Sequence, residues 1–263
     1  MAVERGIEAI PRQPSPWPRR ILWIGLVWAA ILILLMGAQQ GASPEDRTLA
    51  ISISASGFYT LLLYRTRQRW LPRLAGHPLR NAMILGSLNA AVIETLFLVV
   101  EKIMGAEGVA AHPNLIMDLL VTMPWYIGMV VIFVRVQHVR RFSPVIVLLL
   151  GGVYEIGAEG FVGGAFEGSI FTPAFYLLIP AVFLWLFIPV YSSMVLPPAW
   201  VIDTASPPAG PDPLPSSRWL RLLVPKPSGP AWRDAVRPLL WILPFVLYLA
   251  VFLLIVLIVS QIV

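Results

Sequence analysis

The sequence predicts an all-α membrane protein, a bundle of about seven transmembrane helices, and three observations lead to this fold class. Hydrophobic residues make up 58% of the 263 residues and charged residues only 13%, about half of the roughly 25% usual in soluble proteins. The hydrophobic residues fall in seven runs of a length that suits a hydrocarbon core of about 30 Å. The basic residues lie between these runs, mostly at one end of the predicted bundle.

Each apolar run is one predicted helix. In chain order the runs cover residues 21–37, 49–64, 82–104, 115–134, 145–162, 174–196 and 239–263. The first run follows Arg19 and Arg20 and precedes small residues at 41–43, which is also the pattern of a signal peptide. Because the run is long for a signal and no A-x-A site follows, we expect a retained helix, with cleavage as the alternative.

The basic residues predict the orientation of the helices. Seventeen of the 19 lysines and arginines fall in the N-terminal tail and in the connections after the second, fourth and sixth runs. Only Arg47 and Lys102 fall on the other side. By the positive-inside rule, we expect an integral, multi-pass membrane protein with its N-terminus in the cytoplasm and its C-terminus on the opposite side.

The composition divides the chain into four regions. Residues 1–48 hold the N-terminal tail, the first helix and an outer loop, and residues 49–196 form the helical core. Residues 197–237 begin with a stretch that has ten prolines up to position 230, which is typical of a linker without a fold of its own. Residues 238–263 form the C-terminal transmembrane helix.

Carboxylates inside the apolar runs are the main chemical signal. Glu94 lies near the middle of the third run, where a charge is costly and usually marks function. Its alternative role is a protonated acid with a purely structural hydrogen bond. Glu101 follows seven residues later on the same helix face, where we expect a solvated ion pair with Lys102, with a place in the pocket as the alternative.

Two further acids lie in the runs that follow. Asp118 opens the fourth run, where helix capping and a pocket would both use a carboxylate. Glu155, in the fifth run, is deep enough to join a pocket with Glu94.

Oxygen ligands suit a hard cation, but the histidine spacings of metal sites are missing, so we expect no metal. The chain has no cysteine and no phosphate-binding or nucleic-acid motif, so we expect no cofactor and no nucleic-acid partner.

Several short motifs occur in the order found in a known family. They are Val92-Ile-Glu94, Met117-Asp118, the arginines from Arg135 to Arg141, Tyr154, and Leu184-Trp185-Leu-Phe-Ile-Pro189. Together they resemble the EXPERA group, which contains emopamil-binding protein (the sterol delta-8/delta-7 isomerase) and its sigma-2-receptor relatives. The resemblance covers about residues 71–196, and the second run would match the first helix of that family.

The resemblance implies an intramembrane cavity, open to lipid, in which acids and a histidine move protons to and from a ring alkene. Glu94 matches the proton-donating glutamate and Asp118 matches a second acid, so both are catalytic candidates. Trp185 matches the aromatic residue that stabilises the carbocation through a cation–π contact. With the neighbouring acids, the expected ligand-binding residues are Trp185, Tyr154, Glu155 and Glu101.

One departure from the family concerns the chemistry. The histidine that precedes the family glutamate by one turn is replaced by Ala90. The neighbouring Asn89 points about 100° away from the Ala90 position around the helix. We therefore expect a pocket for a sterol-like or isoprenoid lipid, or another hydrophobic small molecule. Its use is double-bond isomerisation or, as the alternative, non-catalytic lipid binding or sensing. A proton-coupled transporter is disfavoured, because the runs show no inverted repeat. The oligomeric state stays open.

Overall fold

The structure is a computed structural model that describes residues 17–39, 41–157, 179–204, 222–225 and 229–262. These residues are almost entirely helical and include no strand, which confirms the all-α prediction for the described part of the chain. The long helices are α1 (Trp17–Ala38), α2 (Pro44–Leu74), α3 (Pro78–Met104), α4 (Leu115–Arg140), α5 (Pro144–Glu155), α6 (Ile188–Asp203) and α7 (Ile242–Ile262).

Short helical segments precede the last two helices. A π-helical turn, Ile179–Phe183, and a single α-helical turn, Leu184–Leu186, lead into α6. The short helix Ala231–Ala235 and the 3₁₀ helix Arg237–Trp241 lead into α7. The predicted end of the fifth run and the start of the sixth fall within 158–178, outside the described residues.

In the described part of the chain, four helices are long and apolar enough to cross a membrane. They are α1, α3, α4 and the segment Arg237–Gln261, which covers all of α7 except its last residue. The described part of α5 is apolar but short. Helix α2 has 31 residues, but its arginines and hydroxyl side chains make it much less apolar than the other long helices. The apolar helices indicate a membrane protein.

Local sequence signals set the helix boundaries. Ser43 and Asp46 form a capping box at the start of α2, which satisfies two backbone N–H groups that the first turn leaves open. The Asn114 side chain accepts the N–H groups of Ile116 and Met117 and so caps α4. Helix α3 ends at Met104, and Gly105 caps it with a left-handed φ of 66°, a conformation that glycine adopts at little cost.

Helix α6 is the centre of the bundle. Thirteen of its 16 residues are buried, and α2, α3, α4 and α5 all pack against it. Small residues let the neighbouring backbones come close: Gly86 of α3 faces the Met194 carbonyl, and Gly151 of α5 faces Tyr191. A bulkier residue at Gly86 would therefore push α3 away from α6.

Two prolines inside helices release carbonyl groups that side chains of other helices then bind. Pro124 has no N–H, so the Leu120 carbonyl loses its donor within α4, and the Tyr248 hydroxyl donates to it at 2.7 Å. Pro197 releases the Ser193 carbonyl of α6 in the same way. The Asn89 amide nitrogen of α3 donates to that carbonyl at 2.6 Å.

The proline-rich region differs from the expected linker at both ends. At its start, α6 continues through Pro197 and Pro198 to Asp203. At its end, the buried Asp234 pairs with Arg140 of α4 at 2.5 Å and with Arg237 at 2.5 Å. A buried carboxylate held by two guanidinium groups fixes this end to α4. Residues 205–221 and 226–228 lie outside the described part.

Candidate functional site

Glu94 and Glu101 both lie on the buried face of α3. Their exposed fractions are 9% and 5%, whereas Lys102 is exposed. The Ala110 N–H donates to Glu101 Oε2 at 2.5 Å. Glu101 is therefore a buried acceptor for the α3–α4 connection, and the expected solvated ion pair with Lys102 is wrong. Sequence alone does not show that the loop folds back over this side chain.

Asp118 has an equivalent role on the other side of the loop. Its side chain is fully buried, and the His112 N–H donates to Oδ1 at 3.1 Å. Asn114 supplies the side-chain cap of α4, so Asp118 binds the backbone that precedes the helix. This contact favours the structural alternative for Asp118 over a role at the reacting atoms.

A third carboxylate reaches the same loop from α2. The Glu107 N–H donates to Glu45 Oε1 at 3.4 Å. The pKa of the Glu45 carboxyl lies below its ordinary value, because its own backbone N–H and the Ser43 hydroxyl donate hydrogen bonds to it. Glu45, Glu101 and Asp118 thus fix the α3–α4 connection from three different helices. We call these three side chains the loop anchor.

Helix contacts place Glu94 near the middle of the contact between α3 and α4. At one end of the α3–α4 contact, Gly86 faces Val130. At the other end, Glu101 and Asp118 bind the same loop. The two helices are antiparallel neighbours, so Glu94, between Gly86 and Glu101, lies at about the level of Trp125.

Buried aromatic side chains lie at this level and about two turns further along α4. Trp125 Nε1 donates to the Tyr191 hydroxyl at 3.2 Å, and the Tyr126 and Tyr191 ring centroids are 5.9 Å apart. Phe133 meets Tyr154 edge to face at 6.0 Å. All five side chains are buried. We call them the aromatic cluster.

Tyr154 and Glu155 lie at the end of α5, and both are fully buried. The Tyr154 hydroxyl donates to the Ala235 carbonyl at 2.9 Å, so this predicted ligand-binding residue holds the segment that leads to α7. Glu155 immediately follows Tyr154 of the aromatic cluster. Glu155 and Glu94 are thus both acids buried in the interior of the apolar bundle.

Trp185 lies on the side of the bundle that faces α1. Its ring rests on Gly25 so closely that a Cβ at Gly25 would overlap it. Nearby, Trp28 Nε1 donates to the Ala181 carbonyl at 2.6 Å. These contacts give Trp185 a packing role against α1.

Sequence reasoning missed a polar contact between α2, α3 and α6. The Tyr59 hydroxyl donates to Asn89 Oδ1 at 2.9 Å, while Asn89 Nδ2 donates to the Ser193 carbonyl. At the adjacent residues of α2 and α6, the hydroxyl oxygens of Thr60 and Ser192 are 2.6 Å apart. Pro197 is the sequence feature that could have indicated this contact, because a proline inside a helix leaves the carbonyl four residues earlier, here that of Ser193, without its donor.

The fold and the site define a class, an all-helical protein whose apolar helices indicate a membrane location and whose core contains carboxylates. Within the described residues, no three His, Cys, Asp or Glu side chains gather as a metal site would require. Comparison with family models, curated proteins and solved structures finds no match.

Proposed function

We propose that this chain is a multi-pass membrane protein that binds a polycyclic or isoprenoid lipid inside the bundle, beside Glu94, in the manner of the EXPERA group. The burial of Glu94 in the middle of α3, between Gly86 and Glu101, is the observation that carries the proposal. A carboxyl group in an apolar interior is costly and is usually retained for a function. Glu155 is the second acid of the proposed site.

The chemistry of this interior suits a rigid, mostly apolar ligand with one polar group. Aromatic and aliphatic side chains would cover the body of such a ligand, and a few polar groups would orient it. A hydroxyl or amine on the ligand would bind the Glu94 carboxyl. Asp118 and Glu101, which bind the loop backbone, contribute indirectly by holding α3 and α4 together.

Non-catalytic binding has more support than isomerisation. The position of the family histidine is Ala90, which is fully buried. Asn89 does not replace that histidine, because its oxygen and its nitrogen are both bonded to neighbouring helices. A proton relay through this part of α3 therefore lacks the expected base. Isomerisation stays the second candidate because of the resemblance around Glu94.

The proposed topology has seven spans, with the N-terminus in the cytoplasm. The described helices support it, since the ends of α2 and α4 and the start of α3 carry basic residues and the start of α5 adjoins them. Arg141, directly after α4, pairs with Asp203 at the end of α6. Alternate helix ends thus fall on one basic side.

A photoreactive sterol and a photoreactive isoprenoid, each with a diazirine, test binding in the purified full-length protein. We expect saturable labelling that excess unlabelled lipid displaces, and Glu94→Gln should retain it within about threefold, because glutamine keeps the shape and hydrogen-bonding capacity. Incubation of a Δ8-sterol in D₂O tests isomerisation through deuterium incorporation. Turnover that Glu94→Gln abolishes would establish the second candidate. Absence of saturable labelling by both probes would overturn the proposal.

A further inference from the structure

The outward face of α2 changes from apolar to strongly basic near its C-terminal end. Phe58 and Leu62 are 69% and 49% exposed. Arg65, Arg69 and Arg73 follow on the same side of the helix, and all three are exposed. The spacings of three and four residues align these side chains along one face. We call the three arginines the arginine stripe.

No acid at this end of the bundle neutralises the arginine stripe. Within the described residues, the acids there are Asp203 and Asp234. Asp203 pairs with Arg141, and Asp234 pairs with Arg140 and Arg237. The stripe therefore presents three positive charges, about one helical turn apart, without a carboxylate partner in the described part of the chain.

Aromatic side chains mark the same depth where α2 meets α6. The Tyr64 and Trp200 ring centroids are 5.7 Å apart, and those of Trp70 and Trp200 are 6.3 Å apart. The Arg67 guanidinium lies over the Tyr64 ring at 3.9 Å. Tyrosine and tryptophan concentrate at the boundary between hydrocarbon and headgroups. The arginine stripe thus begins where phosphate groups would lie.

We propose that the outward face of α2 binds an anionic phospholipid, with its acyl chains along Phe58 and Leu62 and its phosphate on the arginine stripe. Guanidinium groups bind phosphate oxygens in a bidentate fashion. The apolar surface directly below the stripe favours a lipid over a soluble polyanion, which would have no use for it. This inference rests on the proposed span of α2 but is independent of the site at Glu94.

Native mass spectrometry of the full-length protein in detergent, with equal amounts of phosphatidylglycerol and phosphatidylcholine, tests the inference. We expect the wild-type protein to retain phosphatidylglycerol preferentially. The triple variant Arg65→Gln, Arg69→Gln, Arg73→Gln should reduce that preference by about tenfold or more, since each basic residue near the surface adds to the attraction. High salt should weaken the interaction in the wild-type protein.

Two further variants make the result specific. Arg19→Gln, Arg20→Gln, Arg135→Gln removes the same charge from exposed positions elsewhere at this end and should keep the preference within about twofold. The variant Arg65→Lys, Arg69→Lys, Arg73→Lys keeps the charge and the topology signal. It should retain part of the preference for phosphatidylglycerol. An equal loss in the control variant, no preference in the wild-type protein, or tighter binding of an oligonucleotide that displaces the lipid would each overturn the proposal. Photolabelling at the Glu94 site should be unchanged in the triple glutamine variant of the arginine stripe. This measurement distinguishes a failure of the phospholipid site on α2 from a failure of the proposed lipid site beside Glu94.

Discussion

The hydroxyl of Tyr248 in α7 donates to the carbonyl of Leu120 in α4 at 2.7 Å. In an α-helix the N–H four residues later would bind this carbonyl, but that residue is Pro124, which has no N–H. An open backbone carbonyl is costly in an apolar environment, so Tyr248 supplies what the proline removes. Trp241 Nε1 adds a bond to the Pro124 carbonyl at 2.8 Å. These bonds tie the C-terminal helix to the bundle.

The first prediction concerns this contact. Tyr248→Phe should reduce the free energy of unfolding by about 0.6–1.7 kcal/mol, the range of interhelical hydrogen bonds measured in a membrane bundle. Pro124→Ala restores an N–H to the Leu120 carbonyl, so Tyr248→Phe should cost much less in that background. Unfolding in a denaturing detergent, followed by circular dichroism, gives the double-mutant cycle. Additive effects would show that the bond is not coupled to the proline.

The second prediction concerns Asn89. We expect Asn89→Leu to destabilise the bundle more than Tyr59→Phe does, because leucine removes the bonds to both Tyr59 and the Ser193 carbonyl. The difference should be about 1 kcal/mol. The same unfolding assay measures it. Equal losses for the two variants would mean that the bond to Ser193 contributes nothing to stability.

The third prediction concerns the loop anchor. Asp118→Ala should leave the His112 N–H without its acceptor and should speed amide hydrogen exchange in residues 105–114 by about tenfold or more, the equivalent of roughly 1.4 kcal/mol. Lipid labelling at the proposed site should fall by less than about threefold, since this side chain binds the loop. Exposed Glu107→Ala serves as the matched control, since it removes a side chain of the loop and leaves the backbone donors in place. Loss of lipid labelling with an unchanged loop would instead support the catalytic role expected from the sequence.

The fourth prediction concerns Trp185. Gly25→Ala places a methyl group against the Trp185 ring, so we expect it to separate α1 from the bundle and to destabilise the protein by about 1–3 kcal/mol, a typical effect of overpacking. Trp185→Leu should relieve most of this penalty. Gly76→Ala is the matched control, because open space surrounds Gly76. If Trp185→Leu leaves the penalty in place and instead abolishes binding of a cationic amine, Trp185 faces the ligand.

The sequence was informative where a feature depends on one helix. The apolar runs 82–104 and 115–134, for example, locate α3 and α4. Contacts between distant segments were not predictable. Glu101 was expected beside solvent, yet a loop covers it. Asp234 lies in the region 197–237 that was expected to be a linker, yet two arginines hold it in the interior. In both cases the partner is chosen by tertiary packing, which single-helix periodicity does not report.

Mapping the labelled residues after irradiation with the photoreactive sterol decides whether the lipid site lies inside the bundle. We expect peptide mass spectrometry to find the label on α3 near Glu94 and on the facing side chains of the aromatic cluster, and excess sterol to remove it. Glu94→Gln should leave the labelled positions unchanged. Label found only on the lipid-exposed faces of α1 and α7, without displacement by excess sterol, would contradict an internal lipid site.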